Sequence, residues 1–301
     1  MRGRRTRESD AERPPAPFVV GVGRSGTTLL RLMLDAHPEL TIPPETHFVP
    51  ELIAVARKRR ATAERLSEIV VSQRQWADFG LDADELRRRF AALDALEAGP
   101  AARVFYDLYA ERAGKPRWGD KTPIYVEHMR EIEAALPEAR FLHLVRDGRD
   151  VALSRIRRAL DEPPPVGRIA TNWKRRIGAA RKQARGLAHY MELRYEDLVA
   201  DAESALRQVC EFVELRFDPA MLDYHRGAGE RLREMAGDLP ARGGKAHRPG
   251  SERLAAHALA TEPPRPERVG AWREEMSAAD VAAFEDAAGD LLSELGYERT
   301  R

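Results

Sequence analysis

Three groups of residues have the types and spacing to act on an anionic substrate. The first is the run GVGRSGTTLL, where Gly21, Gly26 and Thr28 keep the spacing of the phosphate-binding pattern G-x-x-x-x-G-K-S/T. The apolar Phe18-Val19-Val20 before it and Leu29, Leu30, Leu32, Met33 and Leu34 after it predict strand, tight glycine turn and helix start. Free backbone N–H groups and the helix dipole converge on phosphate at such a turn. Thr27 stands at the lysine position. That lysine serves the β- and γ-phosphates of a nucleoside triphosphate. Its replacement points to a phosphate-bearing ligand of another kind, with Arg24 supplying positive charge inside the loop.

The second group is RFLHLVRDGRDVALS. A core strand over 140–145 runs into Arg146, and Ser154 falls in the first turns of the helix that follows. Arg146, Asp147, Arg149 and Asp150 can also be read as a surface ion-pair cluster, which is worth little stability. The third group is Pro43-Pro44-Glu45-Thr46-His47, a stiff turn after a short strand over 40–42. It delivers a carboxylate, Glu45, and an imidazole, His47, either of which can accept a proton. Lys121 joins these from RWGDKTP, a turn-rich cluster with Thr122 as N-cap and Pro123 at the first position of a helix over 124–136. Capping accounts for the Thr-Pro pair but not for Lys121.

These residues need a scaffold that brings loop ends together. Strands and helices alternate, with a further strand over 190–193 and helices over 169–187 and at the C-terminus, which predicts an α/β fold with a parallel sheet covered on both faces. Ligands sit outside the carboxyl ends of strands in such sheets. Residues 49–112 read as a helical insert, from recurrences such as Leu52-Ile53-Ala56 and Leu86-Phe90-Leu93. Residues 227–266, with Gly243-Gly244, Pro249-Gly250 and Pro263-Pro264, read as a mobile loop or lid. Residues 1–16 read as a disordered tail, leaving a single domain over 17–298.

Composition sets the outer limits. The 301 residues are 43% hydrophobic, enough for one large core, and carry a net charge of +1, which argues against a nucleic-acid binder. Cys210 is the only cysteine, so neither a disulfide framework nor a cysteine-based zinc site is expected. No apolar run has the length of a membrane span and no secretory signal is evident, so a cytoplasmic protein is expected.

Taken in order, GVGRSGTTLL, RFLHLVRDGRDVALS, RYEDL and VGAWR resemble sulfotransferases that use 3′-phosphoadenosine 5′-phosphosulfate (PAPS), in the bacterial branch related to tyrosylprotein sulfotransferases. The resemblance implies a P-loop-like three-layer sandwich. It implies that Arg24, Ser25, Gly26, Thr27 and Thr28 hold the 5′-phosphosulfate and that Arg146 and Ser154 hold the 3′-phosphate. Tyr195 is implied beside the adenine and Arg268 on the donor, with Arg265 and Arg273 as competitors. Glu45 is implied as general base, with His47 its rival, and Lys121 with Arg24 as stabilisers of the transition state. PAP is the implied product, no metal is required, and the acceptor is a hydroxyl compound: carbohydrate, lipid headgroup, phenolic metabolite or peptide tyrosine. Two other readings share the loop. One is a P-loop kinase of a small molecule with Asp147 as its Walker-B carboxylate, and the other is a non-catalytic nucleotide-binding protein.

Overall fold

Four parallel strands end at one edge, and that edge carries the glycine turn, Lys121 and the turn after Arg146. The computed structural model describes residues 13–58, 61–158, 163–241 and 246–300. Residues 1–12 of the expected tail, the end of the helix after Arg146 and Gly243-Gly244 lie outside them. Strand β1 (Ala16–Gly21) is buried throughout and begins inside the stretch read as tail. It is followed by α1 (Thr27–Asp35) and β2 (Leu40–Thr41). The helices α2 (Val49–Ala56), α3 (Ala63–Val71), α4 (Ala83–Ala91) and α5 (Ala98–Ala113) come next. Then come β3 (Arg117–Trp118), β4 (Asp120–Lys121), α6 (Met129–Ala135), β5 (Ala139–Val145) and α7 (Gly148–Ile156). Helix α8 (Val166–Ala184), β6 (Tyr190–Arg194), α9 (Tyr195–Ala200) and α10 (Ala202–Phe212) complete the second half. The remaining helices are α11 (His225–Arg233), α12 (Gly250–Ala255), α13 (Trp272–Glu275) and α14 (Ala278–Glu294).

The main sheet has the order β4-β1-β5-β6, all parallel, and β2 pairs with β3 in a separate ribbon. Side-chain alternation fixes its two faces. Phe18, Val20 and Phe141 pack on the insert helices and α6, while Val19, Leu142 and Leu144 pack on α1, α9 and α10. A third cluster beyond the strand ends joins Val145 and Val151 to Trp173 of α8 and Phe284 of α14. This is the expected three-layer arrangement. Among the described residues no helix is long and apolar enough to cross a membrane.

Local expectations fail where hydrophobic periodicity is silent. The stretch 227–266 was expected to be a loop but contains α11, α12 and short 3-10 turns. Helix α11 buries only Ala228 and Leu232 and is held by ions: Arg231 Nε lies 2.6 Å from Asp35 Oδ2. Arg253 of α12 pairs with Asp78, and Arg74 donates to the carbonyl oxygens of Leu239 and Pro240. RWGDKTP is β3 and β4 separated by Gly119, each strand too short to show alternation. Thr122 caps nothing with its side chain; its hydroxyl accepts from Thr46 N–H at 2.9 Å. The helix expected over 124–136 divides into a 3-10 turn, Pro123–Glu127, and α6.

Gly148 opens α7 in a space with no room for a side chain. A Cβ there would lie 2.3 Å from Phe284 Cζ and 2.7 Å from the Trp173 ring. Gly148→Ala is expected to destabilise the protein by about 1–3 kcal/mol through overpacking, read as a lowered midpoint in urea denaturation at unchanged m-value.

Candidate active site

Each strand of the main sheet delivers a side chain or loop at its carboxyl end. The glycine turn follows Gly21 of β1, Lys121 closes β4, Arg146 follows β5 and Tyr195 follows β6. The register pairs Val19 with Lys121, Gly21 with Leu144 and Val145 with Arg194, so these ends converge. The turn is tight because Gly26 sits at φ 95, and a Cβ on it would meet the Tyr195 ring at 2.5 Å. The other left-handed residue of the loop is Arg24, at φ 82, and not Gly23. A side-chain-bearing residue there is strained, and such strain clusters at functional sites.

Arg24, Arg146, Arg157, Arg158, Arg265 and Arg268 line a cavity of about 350 Å³ in front of this turn, with Asp150 and Glu262 as carboxylates. Arg24 Nε donates to Ser154 Oγ at 3.3 Å, which ties the glycine loop to α7. Arg146 lies with its guanidinium 4.2 Å from the centre of the Tyr195 ring and donates to Arg268 O at 2.8 Å. Asp150 accepts from the N–H groups of Gly270 and Trp272, which is how the VGAWR turn is held against α7. Positive charge here is crowded. Burial, with the guanidiniums of Arg158, Arg146, Arg155 and Arg248, pushes the pKa of Arg24 down to about 10. Among the described residues, buried Arg146 Nε and Arg158 Nη1 have no hydrogen-bond partner. Unpaired buried donors and mutually repelling cations suit an anion as their missing partner.

Glu45 lies beside this cavity, at the edge of a second one of about 550 Å³. Its Oε1 is 2.7 Å from Lys121 Nζ and its Oε2 is 3.1 Å from His47 Nε2. Lys121 is only 2% exposed. Burial alone would raise the carboxyl pKa, but Lys121 and His47 outweigh it and hold Glu45 below the ordinary carboxylate range. Burial lowers the pKa of Lys121 in turn, against the pull of Glu45. The turn carrying Glu45 rests on a buried network: Thr46 Oγ1 donates to Asp120 Oδ2 at 2.7 Å, and Tyr106 OH donates to the same oxygen at 2.9 Å. Gln75 Nε2 donates to Glu45 O at 3.0 Å, which ties the helical insert to this turn. His47, at φ 59, is the second strained residue of the site.

Arg24, Gly26, Thr27, Thr28, Arg146, Ser154, Tyr195 and Arg268 line the first cavity, and Glu45 and His47 line the second. Ser25 is not among the described lining residues of either cavity; it is 1% exposed, and its buried hydroxyl has no hydrogen-bond partner among the described residues. Of the competing late arginines, Arg265 lines the first cavity and pairs with Glu262, whereas Arg273 stacks on Trp272 away from it. Asp147 is turned away as well. It caps α7 and pairs with Arg149 at 2.8 Å, and Arg149 in turn holds Glu285. Sequence reasoning missed His257, which lines both cavities. Burial, then Lys121 and Arg24, push its pKa down to about 3, so its imidazole is neutral at pH 7. It lay in the stretch read as a loop, where spacing carries no signal.

A glycine loop and a cationic cavity at the carboxyl edge of a parallel sheet define a phosphate-binding fold of the P-loop type. The family is more particular. The model of the sulfotransferase family matches residues 15–219, and the chain belongs to that family. It is 25% identical over 224 residues to protein-tyrosine sulfotransferase A of Caenorhabditis elegans, covering 72% of this chain and 54% of that protein. Nodulation protein NoeE of Sinorhizobium fredii is 28% identical over 306 residues, covering 94% of this chain and 66% of that one. The chain spans about half the length of the tyrosine sulfotransferases it matches. In fold it is similar to the sulfotransferase domain of the Synechococcus PCC 7002 olefin synthase, with a TM-score of 0.62 at 24% identity over 97% of this chain and 98% of that domain.

The depressed Glu45 pKa has a thermodynamic signature. An acid with a folded pKa below its ordinary 4.5 stabilises the fold fully above that pH and progressively less below it. The stability difference between the native chain and Glu45→Gln is therefore expected to be largest near pH 7 and to shrink as pH falls below about 4.5. Urea denaturation of both proteins at pH 7 and pH 3.5 measures it; a gap that widens on acidification contradicts the ion-pair assignment.

Proposed function

We propose that the protein transfers the sulfuryl group of PAPS to a hydroxyl acceptor, with the donor in the arginine-lined cavity and the acceptor in the cavity beside Glu45. One observation carries the reading. Two anion-binding groups, the glycine turn and Arg146 with Ser154, stand at neighbouring strand ends of one cavity, and Glu45 with Lys121 stands where that cavity meets the next. A donor with a 5′-phosphosulfate and a separate 3′-phosphate needs two such positions. Family membership supports the same donor. Arg24, Gly26, Thr27 and Thr28 are then the 5′ cradle, Arg146 and Ser154 hold the 3′-phosphate, Tyr195 flanks the adenine and Arg268 adds charge at the rim. Ser25 joins the cradle through its side chain: its N–H donates to Val22 O, and its buried hydroxyl has no partner among the described residues.

In the transfer the acceptor oxygen attacks sulfur in line with the bridging oxygen of the 5′-phosphate. The new O–S bond forms as the bridging S–O bond breaks, the hydroxyl proton passes to Glu45 and PAP departs. Cationic groups around the bridging oxygen stabilise the charge that collects there. Lys121 and Arg24 take that part. Lys121 also tunes the base: as its ammonium turns from Glu45 to the leaving phosphate, the carboxylate loses its strongest partner and becomes more basic. His47 holds the second carboxylate oxygen and serves as a hydrogen-bonding partner to the base. The kinase alternative loses ground because Thr27 replaces the lysine and Asp147 is spent on Arg149.

Incubation with PAPS labelled in the sulfuryl group and hydroxyl acceptors tests the proposal. Glu45→Gln is expected to lower kcat about 10²–10⁴-fold while PAP still raises the melting temperature. Wild-type turnover in that variant would remove Glu45 from the role of base. Arg146→Ala is expected to weaken PAP binding about tenfold or more, as loss of a charge-assisted contact to phosphate does, read by calorimetric titration.

A further inference from the structure

The second cavity has a chemical character that selects among acceptors. Its walls come from the turn of Glu45 and His47, from α2, from the segment after α3 and from the approach to α12. None of its described lining residues is a phenylalanine, tyrosine or tryptophan. The nearby aromatic side chains Phe48 and Phe79 are fully buried in the core, and Trp76 packs against that core. The apolar lining is confined to Pro44, Met235 and Leu239.

Several polar groups that face this cavity still have bonding capacity. Gln73 and Gln75 spend their amide N–H groups on Ile69 O and Glu45 O, leaving both side-chain oxygens to accept. Among the described residues, neither Glu51 nor Arg248 has a side-chain hydrogen bond or ion pair. The other cations are committed: Arg74 to the carbonyl oxygens of Leu239 and Pro240, and Arg253 to Asp78 and Gly237 O. Among the described residues, what remains is a nearly neutral set of acceptors and donors, Glu51 and two amide oxygens against one guanidinium. An aromatic ring laid against such walls would desolvate them without replacing their hydrogen bonds with water, an unfavourable exchange for each group left unpaired. A ring bearing several hydroxyl groups can donate to the carboxylate and amide oxygens and accept from Arg248. The volume, about 550 Å³, lies within the ordinary range for a small-molecule site.

We propose that the cavity beside Glu45 takes a non-aromatic, polyhydroxylated acceptor, a neutral glycoside, oriented by Glu51, Gln73, Gln75 and Arg248, with one ring hydroxyl directed at Glu45. The proposal rests on the donor reading given above. In the step itself the glycoside C–O–H loses its proton to Glu45 and gains the sulfuryl group, giving a sulfate ester and PAP.

The experiment has two arms on the full chain. PAP binding, followed by calorimetric titration, tests the donor reading alone; absence of binding overturns that reading and this inference with it. With PAP binding established, labelled PAPS is offered with three acceptor sets: methyl glycosides of neutral hexoses and N-acetylhexosamines, the phenols 4-nitrophenol and 2-naphthol, and a tyrosine-containing peptide. Labelled glycoside, with phenol and peptide at least tenfold lower in kcat/KM, is the expected result. Equal or better sulfation of a phenol or the peptide, or no labelled glycoside at all, overturns the acceptor class. For the glycoside that reacts, Glu51→Ala and Arg248→Ala are expected to raise KM about tenfold with kcat little changed and PAP affinity unchanged. Unaltered KM in both variants shows that the acceptor lies elsewhere.

Discussion

The parallel pairing of β1 with β4 and β5, and of β5 with β6, is the constraint on which everything else depends. Parallel strands run the same way, so their carboxyl ends share an edge, and the loops after them face one space. The register cannot slip by one residue without exchanging the face of Phe18 and Val20 for that of Val19. Both faces are covered by different helices, so such a slip would disrupt two packed layers at once. Packing far from the site therefore sets where Gly21, Lys121, Arg146 and Tyr195 end up.

Charge at that edge is left out of balance. Arginines gather with few carboxylates among them, and Arg24 holds a strained backbone conformation while its neighbours depress its pKa. The free protein bears this electrostatic cost, which the proposed donor's phosphates would relieve. The same side chains also carry structural bonds. Arg24 reaches Ala256 O beyond α12, and Arg146 reaches Arg268 O. Groups proposed to hold the donor thus also hold the cap over it, so donor binding and cap position share the same guanidiniums.

Glu45 and Lys121 form the other charged feature, and their environments differ. The lysine is sealed behind the carboxylate, whose rim faces the second cavity. A buried ammonium with one anionic partner keeps that partner ionised and in place. Below it, Asp120 accepts from Thr46 and Tyr106, so the proline-stiffened turn is clamped on its buried side as well. Gln75 adds a tie from the helical insert, which links the acceptor side of the molecule to the proposed base.

Much of this was legible without coordinates, because it lies in local runs. Strand, glycine turn and helix at Phe18–Leu34 are a contiguous pattern, as is the strand that ends at Arg146, and their residue types bespeak phosphate directly. The residues Glu45 and Lys121 could be named for their chemistry, but their meeting is a product of register between strands more than seventy residues apart. The diversion of Asp147 to Arg149 and the exclusion of Arg273 depend on which way single side chains turn, and spacing has no information on that. The helices α11 and α12 were invisible because ion pairs to Asp35 and Asp78, distant in sequence, hold them and not an apolar stripe. His257 follows from the same cause. The sequence by itself determined the α/β class and the phosphate-binding turn, since both are written in hydrophobic period and glycine position. Only the tertiary structure decided how the two cavities adjoin, since that depends on contacts between residues that no local pattern connects.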